Sequence, residues 1–183
     1  MSETLRKKDF MIGKLHGKLQ ASDRSSEAHM QRLIFLSQKV RFIVKRDLYT
    51  DIRIFAYEMP LRSGVSRGES VDIVGYDKDH NLYLIELKKK GSTERIEKII
   101  DQLNGYEKMV RKILPYIEKE FKAEYFVPIK FIRIKKIILA PREFFLSRKK
   151  ELVESDIAYC YFRDVDVNMH IPGKIVNIHQ VKR

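Results

Sequence analysis

The sequence has little cysteine: Cys160 is the one thiol among 183 residues. A single cysteine excludes both a disulfide framework and a thiolate zinc cluster, and it suits a reducing cytoplasm. No apolar run approaches the roughly 18 residues that a membrane-spanning helix needs. Residues 1–18 mix acids and bases without an apolar stretch, which is not the pattern of a signal peptide. These absences predict a cytoplasmic protein that makes no membrane contact.

Several common catalytic motifs are also missing. There is no Gly-rich loop of the Walker type, so ATP hydrolysis is not expected. The five histidines show no paired spacing typical of metal ligands, and serine, histidine and aspartate form no recognisable nucleophile motif. Chemistry, if the chain performs any, must therefore come from other side chains.

The composition indicates one folded domain with an acidic partner. Hydrophobic residues make up 44% and charged residues 34% of the chain, as in globular proteins. We interpret residues 1–25 as a basic N-terminal extension and 26–183 as a single domain. The net charge of +12 lies in residues 1–50 and 101–150, whereas 51–100 are balanced. This distribution favours a cleft for a phosphate backbone, and the alternative is a solvated basic surface.

The spacing of apolar and turn-forming residues predicts an α/β domain, with a mixed central sheet flanked by helices. Pro115 is expected to kink or restart the second helix, and a Gly-Ser-Thr-Glu segment ending at Glu94 is expected to cap it. The segment from Asp164 onwards has no clear pattern. The predicted elements are a helix over 26–44, a strand over 51–61, a loop over 61–70, a hairpin over 70–88, a helix over 95–122, a strand over 131–140, a short helix over 143–153 and a strand over 157–163.

Three charged residues lie inside the apolar strands of the predicted hairpin. With a three-residue loop over 78–80, Asp72 falls opposite Glu86. Lys88 is two residues further along and shares that face. Buried charges need partners or a function, so the triplet predicts a catalytic site. The alternative is a buried ion pair, which contributes little net stability.

The same triplet favours a metal site. Magnesium prefers hard oxygen ligands and often uses only one or two carboxylates plus substrate phosphate. Asp72 and Glu86 are therefore the predicted ligands of Mg²⁺ or Mn²⁺. Lys88 would orient and acidify an attacking water, or stabilise negative charge that develops on the phosphate.

These residues carry a family resemblance. Val71-Asp72 and Glu86-Leu87-Lys88 resemble the two halves of the PD-(D/E)XK nuclease motif, with Val71 where the family has proline. The resemblance covers roughly residues 26–140. It implies a restriction-endonuclease-like core in the order α-β-β-β-α-β and magnesium-dependent hydrolysis of DNA. It also implies that the carbonyl of Leu87 contributes to the metal shell.

Further positions extend the resemblance. Gln102 and Tyr106 lie four apart on one helix and resemble the Q-x-x-x-Y signature of the family's exonuclease branch. The resemblance implies that they orient substrate and the lysine, and the alternative is that Tyr106 belongs to the core. It also implies an acid on the first helix, where Glu27 fits best. Glu27 is otherwise an ordinary first-turn acid, and Glu58 is the substitute candidate.

The remaining predictions concern partners. DNA is the expected substrate, and a homodimer would supply the two sites that cutting both strands needs. A non-catalytic nucleic-acid-binding module and a basic protein-interaction domain remain alternatives. The candidate phosphate contacts are Lys89, Lys90, Arg67, Lys135 and Lys136.

Overall fold

The computed structural model describes residues 27–61, 70–153, 155–162 and 175–181. The described part is mixed α/β, and its seven strands close into a barrel. The predicted N-terminal extension and Arg67 lie outside the described residues. In chain order the elements are α1 (Glu27–Ser37), β1 (Lys39–Lys45), β2 (Leu48–Pro60), β3 (Ser70–Tyr76), β4 (Asn81–Leu87), α2 (Ile96–Tyr125), β5 (Arg133–Pro141), α3 (Arg142–Leu146), a 3₁₀ turn (Lys149–Glu151), β6 (Ile157–Phe162) and β7 (Val176–Gln180).

The sheet combines antiparallel and parallel pairs. Strands β1 to β4 form an antiparallel meander, and α2 then crosses over so that β5 runs parallel to β4. Strand β6 is parallel to β5, and β7 is antiparallel to β6. The barrel closes because β7 also pairs in parallel with β1.

Two apolar cores lie on the two faces of this sheet. The inner core contains α1 and residues from all seven strands, with Ile34 and Ile85 fully buried. The outer core packs α2 against β2 to β6, with Leu84 and Leu103 fully buried. Successive residues of β4 alternate between the two cores, as the pleat of a strand requires. Each buried aliphatic side chain contributes about 1.5–3 kcal/mol relative to exposure.

The predicted hairpin register is confirmed. Tyr76 pairs with Leu82 and Ile73 pairs with Ile85, so the next pair along the ladder is Asp72 with Glu86. The turn is held by Asp77, whose carboxylate accepts backbone N–H groups from Asp79 and Asn81.

The first helix is shorter than predicted. It ends at Ser37, where Gln38 adopts a left-handed conformation with φ of 57°. The residues that follow form β1, and Val40 is fully buried in the inner core. The step from Ser37 to Val40 fits a helix, but Val40 and Phe42 also fit strand alternation. Pairing with β2 and β7 decides between the two.

The closed sheet differs from the predicted central sheet flanked by helices. The patternless C-terminal segment contributes β7, which together with β1 closes the barrel. The second helix runs through Pro115 without a restart, and its N-cap is Arg95, which makes no side-chain capping bond. The predicted helix over 143–153 is instead α3 and a separate 3₁₀ turn. Within the described ranges, no helix is long and apolar enough to cross a membrane.

Candidate active site

Asp72 is fixed from two sides. Its Oδ2 accepts the backbone N–H of Leu87 at 2.7 Å, which ties it to the end of β4. Its Oδ1 accepts Nε2 of Gln31 at 2.6 Å, which ties it to α1. Leu87 thus contacts Asp72 through its N–H, and the contribution of its carbonyl to a metal shell stays a prediction.

Glu86 and Lys88 share the outer face of the sheet, as predicted. They are 3% and 7% exposed, and Lys88 Nζ lies 2.9 Å from Glu86 Oε1. The other oxygen, Glu86 Oε2, is buried and has no hydrogen-bond partner among the described residues. A buried acceptor without a partner is unfavourable by about 1–3 kcal/mol, so this atom requires an explanation.

Sequence reasoning missed a second partner of Lys88. Glu94 was predicted to cap α2, but its Oε2 lies 2.8 Å from Lys88 Nζ. Its Oε1 contacts Lys98 at 3.2 Å. The ammonium of Lys88 is therefore held between two carboxylates, one on each side of the loop that leads from β4 to α2.

The two carboxyl groups on the facing strands, Asp72 and Glu86, have raised pKa values. Burial, together with the charge of Asp72, raises the pKa of Glu86 to about 8, although Lys88 opposes the shift. Burial and the charge of Glu27 raise the pKa of Asp72 to about 6, although the hydrogen bond from the Leu87 N–H opposes this shift. For Lys88, burial lowers the pKa, but the charges of Glu86 and Glu94 outweigh it and hold the pKa above its ordinary value. At neutral pH the ammonium is charged and Glu86 tends to hold a proton.

Gln102 and Tyr106 also reach this cluster. The amide of Gln102 donates a hydrogen bond to the phenol oxygen of Tyr106. Tyr106 is buried in the outer core, and burial raises its pKa to about 12, with further increases from the charges of Glu86 and Asp72. Tyr106 therefore belongs to the core and lies within electrostatic reach of both carboxylates.

The fourth acid in this region is Glu27 rather than Glu58. Glu27 Oε1 accepts the backbone N–H of Lys89 at 2.9 Å, and its charge acts on Asp72. The register of β2 and β3 puts Glu58 level with Asp72, but Glu58 is exposed and has a φ of 47°.

Gln31 is a second residue that sequence reasoning missed. A signal for it exists, because Gln31 lies four residues after Glu27 and hence on the same face of α1.

The side chains of the candidate active site offer carboxylate oxygens as ligands for a metal ion. In the described part of the chain, no three His, Cys, Asp or Glu side chains are grouped so that they could hold one. The side-chain donors on the hairpin are Asp72 and Glu86, and Glu27, whose Oε1 accepts the Lys89 N–H and whose charge acts on Asp72, stays a predicted further ligand. Two carboxylates fit Mg²⁺, which completes its shell with water and substrate phosphate. The partnerless Glu86 Oε2 fits the same role.

The candidate phosphate contacts separate into two groups. Lys89 and Lys90 are exposed directly after Lys88, next to the carboxylates. Lys135 pairs with Tyr83, whose side chain belongs to the inner core, so it lies on the opposite face from Glu86. Lys136 is 4% exposed and paired with Glu107 and Asp156, so it is not available to a phosphate backbone.

Comparisons with known proteins give limited information. No protein-family model and no curated protein match this sequence. The chain is similar to a crystal structure of a repair endonuclease from Pyrococcus abyssi, at 20% identity over 77% of this chain and with a TM-score of 0.30. The chain spans about half of that protein, 48% of its length. A TM-score this low does not establish a shared fold.

Proposed function

We propose that this chain is a metal-dependent nuclease of the PD-(D/E)XK type that hydrolyses phosphodiester bonds of DNA. The observation that carries the proposal is the pair Asp72 and Glu86 on adjacent strands, with a buried, partnerless Glu86 oxygen beside the Lys88 ammonium. A pure binder of nucleic acid gains nothing from carboxylates that face phosphate.

The electrostatics of the pair favour a bound cation. Asp72 and Glu86 both have raised pKa values, and the charge of Asp72 contributes to the shift of Glu86. A divalent cation between them would offset this repulsion and give Glu86 Oε2 a partner. Bound Mg²⁺ or Mn²⁺ would supply Lewis-acid polarisation of the scissile phosphate.

Lys88 acts as a donor rather than a base in this proposal. Because the pKa of Lys88 is raised, its Nζ carries a proton throughout the neutral range. A charged ammonium can orient a water molecule and stabilise negative charge on the phosphate, but it cannot accept a proton. Glu86 and Glu94 fix its position at 2.9 Å and 2.8 Å.

The surroundings of the triplet support a nucleic-acid substrate. Lys89 and Lys90 extend the charge of Lys88 onto the surface, and the chain as a whole carries +12. Phosphate contacts of this kind make binding steeply dependent on salt. Gln102 on α2 donates to Tyr106, which lies within electrostatic reach of Glu86 and Asp72, and the family resemblance implies an orienting role for the pair.

The direct test is cleavage of single- and double-stranded DNA with Mg²⁺ or Mn²⁺, with EDTA as a blank. Asp72→Asn, Glu86→Gln and Lys88→Ala should each reduce the rate at least about 100-fold. Lys112→Ala is a matched control, since Lys112 is exposed on α2. Equal cleavage by wild type and Lys88→Ala would remove Lys88 from the mechanism.

A non-catalytic nucleic-acid-binding module is the second candidate. It is favoured by the absence of a three-donor metal group within the described ranges. Calorimetric titration with Mg²⁺ separates the two functions. A nuclease should bind the ion in a manner that Asp72→Asn abolishes, whereas a module without catalysis should bind DNA but show no carboxylate-dependent uptake of metal.

A further inference from the structure

A second cleft opens at the turn end of the β3–β4 hairpin. We propose that this hairpin cleft binds an unpaired segment of nucleic acid. It has a volume of about 600 Å³, and the lining residues that carry the argument are Tyr49, Arg53, Tyr76, Lys78, His80 and Val127.

The hairpin cleft is separate from the carboxylates. Tyr76 is four residues along β3 from Asp72, and Asn81 is five residues along β4 from Glu86. At about 3.3 Å per residue, the two ends of the hairpin are roughly 13–17 Å apart. None of the carboxylates of the candidate active site lines the cleft.

The acids of the cleft are already neutralised. Asp51 is paired with Lys39 and Arg41, each at 2.7 Å. Asp77 is 2% exposed, its oxygens accept hydrogen bonds from Asn81 and from the phenol of Tyr83, and its countercharge is Lys135, whose Nζ lies 3.7 Å from Oδ2. Neither acid is therefore left to repel an anion.

The cations of the cleft are available. Arg53 and Lys78 are exposed, and Arg53 pairs directly with Tyr76 across the β2–β3 ladder. Neither Arg53 nor Lys78 has a salt-bridge partner in the ranges that the structure describes. The cleft therefore presents unpaired positive charge, which is complementary to phosphate.

Aromatic and apolar surface lies beside these charges. Tyr49 is 52% exposed, and the Arg41 guanidinium lies 4.3 Å from its ring centroid. Tyr76 packs edge-on against Phe121 at 5.2 Å, and Val127 is 56% exposed at the rim. Basic groups beside exposed rings are typical of sites that hold a strand by its backbone while bases stack on the aromatics.

The occupant is an unpaired strand rather than a duplex. A duplex keeps its bases stacked inside, so it cannot offer their faces to Tyr49 or Tyr76. A cleft of about 600 Å³ also falls in the range that accommodates a small ligand, which corresponds to one or two nucleotides. This binding requires no cleavage, so it stands whether or not the carboxylates are catalytic.

The test is fluorescence anisotropy of a short labelled oligothymidylate in EDTA, which prevents metal-dependent cleavage. The double variant Arg53→Glu/Lys78→Glu should weaken binding at least about 10-fold. Tyr49→Ala, which leaves the charge unchanged, should weaken it about 5-fold or more through lost stacking. Thermal unfolding of each variant checks that it is folded.

The matched control is Lys108→Glu/Lys112→Glu, which makes the same charge change on the exposed face of α2. This control should weaken binding no more than about 3-fold. Equal weakening by the two double variants would overturn the proposal, because it would indicate general charge rather than a site. Competition by a duplex or by polyglutamate as strong as that by unlabelled oligothymidylate would also overturn it.

Discussion

Two buried lysines, Lys136 on β5 and Lys88 directly after β4, each lie between two carboxylates. Lys136 Nζ is 2.7 Å from both Glu107 and Asp156, and it donates a further bond to Asn104 at 2.8 Å. Lys88 Nζ has two acidic partners, Glu86 and Glu94. The three acceptors around Lys136 match the three donors of an ammonium group.

Glu107 of the Lys136 cluster and Glu86 of the Lys88 cluster have pKa values that are shifted in opposite directions. For Glu107, burial raises the pKa, but hydrogen bonds from Lys136 and Arg111 outweigh it and hold the pKa below its ordinary value. For Glu86, burial and Asp72 raise the pKa to about 8. The Lys136 cluster is balanced and closed, whereas the Lys88 cluster has surplus acid and a partnerless buried oxygen. A buried lysine alone therefore does not indicate a functional site, whereas a surplus of carboxylates beside it does.

The largest expected difference between the clusters is in cleavage rate. Lys88→Met should lower DNA cleavage about 100–1,000-fold, because the cation beside the phosphate is lost. Lys136→Met should leave the rate per folded molecule within about 3-fold, since Lys136 lies under α2 and does not contact the carboxylates of the candidate active site. The measurement is initial rate per folded protein. An equal loss in both variants would mean that the lysines share one function.

The loss of folding stability should follow the reverse order, with the larger loss for the Lys136 variant. Lys136→Met leaves Glu107 on α2 with Arg111 as its remaining cation and removes the donor to Asn104, so it should lower the free energy of unfolding by about 2 kcal/mol. The value is below that of a fully buried pair because Asp156 is 71% exposed. Lys88→Met should lower it by less than about 1 kcal/mol, since Glu86 already tends to hold a proton at neutral pH and Glu94 keeps Lys98 as a partner. Urea unfolding at neutral pH in EDTA measures both, and a larger loss for Lys88→Met would contradict the comparison.

The carboxylate pair and its register could be predicted from the sequence. Strand alternation is strictly two-fold, so a hairpin with the correct loop forces Asp72 opposite Glu86 and puts Lys88 on the same face. The contact between Gln102 and Tyr106 could also be predicted from local spacing, because residues four apart on a helix are neighbours on its surface. In both cases one element, with its own periodicity, fixes the geometry.

Contacts between distant elements could not be predicted in the same way. Lys135 and Lys136 are adjacent and chemically identical, yet only Lys136 faces α2 and finds Glu107. Glu94 had a satisfactory local role as a cap, so nothing in the sequence indicated its bond to Lys88. Strand β1 was not predicted because its pattern also fits a helix. Its pairing with β2 and β7 depends on tertiary structure.

The free energy of unfolding should change with pH in opposite directions for Glu86 in the Lys88 cluster and Glu107 in the Lys136 cluster. Because the pKa of Glu86 rises from 4.5 to about 8 on folding, the folded protein retains a proton that the unfolded chain releases between these values. The free energy of unfolding therefore falls as pH rises through this window in EDTA. Glu86→Gln should remove this decline, which we expect to be on the order of 1–3 kcal/mol.

Glu107→Gln supplies the comparison of opposite sign. The pKa of Glu107 is lowered, so its contribution is present above its ordinary pKa and is lost as pH falls. Subtracting each variant's stability curve from that of the wild type isolates the two groups. Two difference curves with the same slope would contradict the assignment of surplus acid to the Lys88 cluster.

The smallest expected effect is stabilisation by magnesium. At a concentration about ten times the dissociation constant, Mg²⁺ should raise the free energy of unfolding by about 1.4 kcal/mol. The gain should be larger at pH 8 than at pH 5.5, because protons compete for Asp72 and Glu86, whose pKa values are about 6 and about 8. Asp72→Asn should abolish it, whereas Glu107→Gln should retain it, because the Lys136 cluster has no surplus charge to offer a cation. Equal stabilisation of both variants would show that the ion binds elsewhere, and the two lysine clusters would then differ in proton affinity alone.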